Sequence, residues 1–306
     1  MLRVIKHHLS LYFMILACLE FALVGACAKI LCDEMPAIEV VFFRNFIGCI
    51  CMLYLLWRLR FHKIGGHFWL LIFRGFAGAV SLYLFFYNVS HISLGGAFAF
   101  QKTSPIFIAF IAFILFDEKI GFRGSFGIAL AFLGVLLVSH PWVHDDAHTG
   151  FDVKNTIIGV MSGFFSALAL TSARRLRKFY ATEQIVFSFL VVGTLMPLLS
   201  MLAGHYAPSV YLENLDFLIA PFVIPSAKSW IIIIVMGVLG VLYQLHITKA
   251  YGVAKKAGII AGVGYLDVVF SMFLGLILGD SFPSAMVLAG IGGIIAGGLI
   301  LVRAKT

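Results

Sequence analysis

Ten times along the 306-residue chain the sequence runs almost free of charge for about a span's length, over residues 9–31, 38–57, 67–88, 93–116, 123–140, 155–173, 182–204, 227–248, 256–279 and 285–302. A helix crossing the hydrocarbon core of a bilayer needs roughly 20 apolar residues. The runs are continuously apolar, whereas a barrel strand alternates over about 10 residues. With 62% hydrophobic and 12% charged residues, against about 45–50% and 25% in a soluble domain, nothing is left over for a separate aqueous domain. The sequence therefore predicts an all-α polytopic membrane protein with ten transmembrane helices, embedded in a lipid bilayer.

The basic start Met1–His8 and the apolar run behind it imitate a secretion signal, and Val24-Gly25-Ala26-Cys27 imitates a lipoprotein cleavage box. Glu20 and the length of the run argue for a first transmembrane helix instead. The five cysteines, all between Cys18 and Cys51, lack C-x-x-C spacing and imply no disulfide framework.

A net charge of +8 would suit a nucleic-acid partner in a soluble protein, but here the distribution of basic residues carries the information. Ten helices put sixteen of them on one side, including Arg58, Arg60, Lys63, Arg174, Arg175, Arg177 and Lys178, and leave Lys154 and Lys228 on the other. By the positive-inside rule both termini are cytoplasmic, as in a bacterial inner membrane, and no nucleic acid is implied.

Sliding the chain by 162 residues lays Gly75 and Gly78 on Gly237 and Gly240, and Glu118 on Asp280. A shift of 145 lays Glu39-Val40-Val41-Phe42 on Gln184-Ile185-Val186-Phe187. The chain thus divides into a first repeat, 1–140, a periplasmic linker, 141–154, and a second repeat, 155–306. Five helices per half is an odd number, so the second copy enters the membrane from the opposite side. Inverted repeats of this kind recur in secondary transporters, with the substrate site near the midplane between the halves.

An ionisable side chain inside a membrane is expensive and is a functional candidate by default. Glu20, Arg44, Arg74, Lys102 and Asp267 fall inside predicted helices. The repeat maps Lys102 onto Gly264 and Asp267 onto Pro105, one turn apart on pseudo-equivalent helices, so the two can face each other. They either bind the opposite charges of a zwitterion or form a permanent ion pair joining the halves. Glu20 is either a proton-coupling acid or a hydrogen-bonding residue. Arg74, about 10 Å from the helix start, is expected to snorkel partly towards the cytoplasm; Arg44 has the same option on the outer side. Gln101 and Thr103, Tyr243, Gln244 and His246, and Tyr265 offer hydrogen bonds and aromatic walls, or simply interhelical packing.

Gly293-x-x-x-Gly297, with Gly292 and Gly298, permits close helix approach, either within the chain or across a homodimer face. Gly258, Gly262, Gly264 and Pro105 loosen helices bordering the site. His140, His144 and His148 with Asp145 and Asp146 imitate a metal cluster, but Pro141 makes the helix that would align them doubtful. No Walker A, H-E-x-x-H or G-x-S-x-G sequence occurs, and no cofactor is implied.

In combination, Phe42-Phe43-Arg44, Ser104-Pro105, Asp117-Glu118, Gly127 and Gly134, together with the two five-helix halves, resemble the ten-helix EamA branch of the drug/metabolite transporter superfamily over essentially the whole chain. Phe73-Arg74-Gly75 and Tyr265-Leu266-Asp267 look like the group containing an S-adenosylmethionine uptake carrier. The resemblance implies a central cavity walled by helices 1, 3, 4, 6, 8 and 9, with helices 5 and 10 bracing the periphery.

Together these features predict a non-enzymatic secondary transporter of a small polar or amphipathic metabolite, of the amino-acid or nucleoside-derivative class, working by alternating access. A proton or counter-substrate is its coupling partner. The expected substrate-binding or coupling residues are Lys102, Asp267, Glu20, Arg74, Gln101, Tyr243, Gln244 and Tyr265. The rival readings are an integral membrane enzyme acting on a lipid or isoprenoid, and a non-transporting channel or interaction subunit.

Overall fold

A computed structural model of the protein describes residues 2–58, 65–104, 106–108, 110–111, 121–139, 153–206, 218–253 and 263–304. Among the described residues there is no strand, and ten helices follow one another: α1 (Leu2–Cys32), α2 (Ala37–Arg58), α3 (Phe68–His91), α4 (Leu94–Gln101), α5 (Phe122–Ser139), α6 (Val153–Leu176), α7 (Thr182–Tyr206), α8 (Ala227–Val253), α9 (Leu266–Ile277) and α10 (Ala285–Ala304). Six of them, α1, α2, α3, α6, α7 and α8, carry apolar stretches of 21–25 residues, long enough to cross a membrane. In hydrocarbon every backbone N–H and C=O must be satisfied within the chain, which is why these runs are helical. Large apolar side chains such as Trp57, Trp69, Phe122 and Ile224 lie exposed on the outside, as a lipid solvent permits.

The helices pack with a twofold logic. The first helix of each half packs on the third of the other, α1 on α8 and α6 on α3, and the second pairs of each half meet in the same manner, α2 with α7, α4 with α9 and α5 with α10. The contacts α3–α7 and α2–α8 also exchange under the same operation. At the α2–α7 crossing Gly48 faces Leu190 while Gly193 faces Asn45. At α5–α10 Gly134 lies against the backbone of Gly290 and Ile294, and Gly297 against that of Gly127 and Ala131. Gly293 and Gly297 are therefore consumed inside the chain, against α5. Gly292 faces open space.

The fourth predicted helix is not continuous. α4 stops at Gln101, Lys102 takes up a non-helical cap conformation with ψ of 6°, and helix resumes at Ser104. The cause is covalent: Pro105 has no N–H to offer the carbonyl of Gln101 one turn earlier. The ninth helix is interrupted in the matching region, with a turn at Gly264 and Tyr265 before α9. There the Cys18 thiol of α1 lies 3.6 Å from the carbonyl of Val263 and 3.7 Å from that of Gly264, a weak donor for groups the helix leaves open. Pro105, Gly258, Gly262, residues 141–152 of the linker, the histidine cluster and Glu118 lie outside the described residues; Val153 and Lys154 of the expected linker instead begin α6.

Short polar clasps fix the helix ends. Ser93 caps α4 by accepting from the Gly96 N–H at 3.3 Å. Asp280, just after α9, accepts from the Leu94 N–H at 2.8 Å and pairs with Lys29 of α1. Glu34 accepts from the Ser229 hydroxyl at 2.5 Å, and hydroxyl donation from Ser229 and Ser226 holds its carboxyl below the usual range. Asp280→Ala removes the acceptor from both Leu94 and Lys29. It is expected to lower stability by about 1.5–3 kcal/mol, the usual worth of a hydrogen bond to a charged group, read as a fall in the thermal midpoint of the purified protein.

Candidate functional site

The two helix interruptions meet. Lys102 caps the C-terminus of α4, where the macrodipole is negative, and Asp267 lies in the first turn of α9, where it is positive. Each charge is thus favoured by the helix end that carries it. The Lys102 Nζ is 2.6 Å from the Asp267 Oδ2, with the side chains 17% and 2% exposed. The second carboxylate oxygen of Asp267, Oδ1, is buried with no hydrogen-bond partner, so an acceptor is left over. A cation and an anion on adjoining helix ends, with one acceptor in reserve, can open to hold an ammonium and a carboxylate.

Beside this pair α1 runs against α8 in successive rungs. Glu20 holds His246 Nδ1 through both carboxylate oxygens, at 2.8 and 2.9 Å. Phe21, the next residue, stacks on Tyr243 with ring centroids 4.5 Å apart. Phe98 and Phe85 extend the aromatic cluster from α1 to α4 and α3. His246 stacks in turn on Phe13 at 5.6 Å.

Sequence reasoning did not pair His246 with Glu20. The signal was nevertheless present in the repeat. The 162 and 145 offsets map His246 onto Leu84 and Glu20 onto Phe165, and those two belong to one hydrophobic α3–α6 cluster. One half therefore replaces a greasy contact of the other with an acid and a base, which marks a departure from pure packing.

Two more charges lie between the halves. Arg74 does not snorkel towards the helix start. Its guanidinium turns the other way along α3, onto Gly78, and lies 4.9 Å from the Phe189 ring centroid. Cation–π attraction of a desolvated pair, about 2 kcal/mol, favours that direction over water. Arg44 is 1% exposed. Its Nη1 donates to Asn45 Oδ1 at 2.9 Å, Asn45 donates onward to the Gly193 carbonyl at 2.9 Å, and the guanidinium rests against Gly240 of α8. Arg44 Nε and Nη2 and Arg74 Nε are buried without a hydrogen-bond partner. Among the described residues neither arginine has a carboxylate partner.

The remaining expected residues divide. Gln101 belongs to a hydrogen-bonded cluster tying α3, α4 and α6, accepting from the Ser162 hydroxyl and lying 3.5 Å from Ser81 Oγ. Tyr265 is buried with its hydroxyl against Gly298 of α10, away from the pair. Gln244 is partly buried on α8 beside Tyr243. No cluster of metal-ligating side chains occurs among the described residues, and all five cysteines are free thiols.

An all-helical membrane body built as two exchanged halves, with paired charges at facing helix breaks, belongs to the class of membrane transport proteins. A family model for the EamA-like transporter family matches residues 8–140. An uncharacterized transporter from Helicobacter pylori strain J99 is 31% identical over 94% of this chain and 92% of its own length. The Pseudopaline exporter CntI of Pseudomonas aeruginosa strain UCBPP-PA14 is 28% identical, over 90% of this chain and 89% of its own. A chain solved by crystallography superposes with a TM-score of 0.59 at 17% identity, covering 95% of this chain and 94% of that one. The chain belongs to the EamA-like transporter family, within the drug/metabolite transporter superfamily. It is an integral membrane transporter of a small molecule and not an enzyme.

Proposed function

We propose that the protein is a secondary carrier that moves a small zwitterionic metabolite, of the amino-acid or nucleoside-derivative class, by alternating access between its two halves, residues 1–140 and 155–306. The observation that carries this reading is the Lys102–Asp267 pair at the facing interruptions of α4 and α9. An empty carrier has to neutralise its own binding charges. The pair does so when no cargo is present, and cargo takes over each partner when it enters. Broken helices whose ends meet substrate charge are a recurrent device of secondary transporters. The sixteen basic residues on the side of the termini, and the bacterial source of the relatives described above, support a bacterial inner membrane with both termini cytoplasmic.

Counterflow tests the reading. Proteoliposomes preloaded with unlabelled candidate solutes, amino acids and nucleoside derivatives including S-adenosylmethionine, are expected to accumulate the labelled form transiently and saturably. A flux that neither saturates nor shows trans-stimulation by any of them would leave a channel, and chemical conversion of the solute would leave an enzyme.

The Glu20–His246 pair, the second acid–base contact of the interior, supports proton coupling through α1 and α8. Glu20→Gln is expected to remove the response of uptake to an imposed proton gradient. Uptake by that variant driven as strongly by the gradient as in the unaltered protein would exclude the coupling role.

A further inference from the structure

Asp267 is matched by Lys102, Glu20 by His246 and Asp280 by Lys29, while Glu39 is met by the Val223 N–H at 2.9 Å. Arg44 and Arg74 are left over, 1% and 7% exposed, without a carboxylate among the described residues. Their placement follows the repeat. Arg74 lies on Gly78 and Arg44 on Gly240, and those glycines are equivalent under the 162 offset. Each guanidinium therefore occupies the space that a missing side chain leaves in one half.

The two arginines reach that level from opposite ends of the protein, since α2 and α3 run antiparallel through the bundle. Both face the same turn of α7, Arg74 against the Phe189 ring and Arg44 linked through Asn45 to the Gly193 carbonyl four residues on. The unsatisfied nitrogens, Nε and Nη2 of Arg44 and Nε of Arg74, are donors that water does not reach. A cleft of about 400 Å³ between α2, α3 and α7 is bordered by Leu56, Leu71 and Ser188. Leu71 is one turn before Arg74, and Ser188 adjoins the Phe189 on which Arg74 lies.

Resting on the carrier reading above, we infer that Arg44 and Arg74 form an oxyanion subsite between the halves, taking a carboxylate or phosphate of the cargo additional to the zwitterionic group held by the Lys102–Asp267 pair. The cargo therefore carries net negative charge, and neutral zwitterions of the same size are poor ligands. A planar guanidinium fork suits an oxyanion, and an ammonium in its place would supply charge without the paired donors. The anion completes the donor set that the empty protein leaves open.

The test uses the purified full-length protein in chloride-free buffer and follows its thermal midpoint with L-glutamate, L-glutamine, citrate, inorganic phosphate and sodium chloride. Glutamate or citrate, or phosphate if the group is a phosphoryl, is expected to raise the midpoint with at least tenfold higher affinity than glutamine. The glutamate–glutamine comparison is made on the unaltered protein and needs no variant to fold. Arg74→Gln is expected to weaken that binding at least tenfold, and Arg74→Lys to restore only part of it. Equal stabilisation by chloride would mean a structural halide site. Equal stabilisation by glutamine, or none by any oxyanion, would also overturn the subsite.

Counterflow separates this inference from the one beneath it. Arginine-dependent anion binding without exchange would sink the carrier reading and leave the subsite standing. Exchange of neutral zwitterions alone would do the reverse.

Discussion

Asp267→Asn is expected to lower cargo binding about 30-fold or more, because removing one partner of a buried hydrogen-bonded charge pair costs about 2–5 kcal/mol at a binding site. It is also expected to destabilise the protein by about 3–5 kcal/mol, since Lys102 is left as a buried charge without its carboxylate. Lys102→Met leaves Asp267, only 2% exposed, in the same predicament. The informative protein is the double variant Lys102→Met with Asp267→Leu. Replacing both members of a buried pair by apolar residues is often neutral or stabilising, so its thermal midpoint is expected to return close to that of the unaltered protein. Exchange in proteoliposomes is expected to stay lost. A double variant that is both stable and fully active would make the pair a staple between α4 and α9 and nothing more.

The second large effect is expected far from the charges. A Cβ on Gly297 would run into the Gly127 carbonyl and the Ala131 N–H, and one on Gly134 would come within 2.6 Å of the Gly290 carbonyl. These neighbours are backbone and have nowhere to retreat. Gly297→Leu forces α5 and α10 apart and is expected to cost about 3 kcal/mol or more, at the upper end of overpacking effects. Gly292, with open space around it, provides the control: Gly292→Ala is expected to be neutral or to stabilise by up to about 1 kcal/mol through helix propensity. Thermal midpoints of the two proteins, prepared in the same detergent, measure the difference. Loss of stability confined to Gly297→Leu also identifies the stripe as intramolecular, because a dimer face would dissociate and leave the fold intact.

The helices were legible because a bilayer imposes one length and one polarity on every span. Eight of the ten runs recur as described helices with ends shifted by up to seven residues, as at Val153–Leu176 against the expected 155–173, while the fourth and ninth recur in shorter form as α4 and α9. The juxtaposition of Lys102 and Asp267 was legible for a different reason. A repeat with an odd number of helices fixes which positions share a level, so the 162 offset placed the charges one turn apart. Rotation about the helix axis is what the sequence leaves open. Tyr265 and Asp267 are two residues apart, yet the tyrosine faces Gly298 and the aspartate faces Lys102. Snorkelling was misjudged at Arg74 for a similar reason: the glycine one turn deeper, Gly78, offers its guanidinium a place that composition alone does not reveal.

The exchange of packing partners has a consequence for how the protein is made. α1 rests on α8, α3 on α6 and α5 on α10, so the helices that emerge first from the ribosome, although α1, α2 and α3 touch one another, lack their most extensive packing partners until the second half arrives. At about 5–20 residues per second, the interval between the end of α5 at Ser139 and the end of α10 at Ala304 is on the order of 10–30 s. During that time Arg44 and Arg74 sit in helices whose covering partners, α8 and α7, do not yet exist. The insertion machinery, or lipid headgroups drawn into the gap, must shelter two guanidiniums that the finished protein buries.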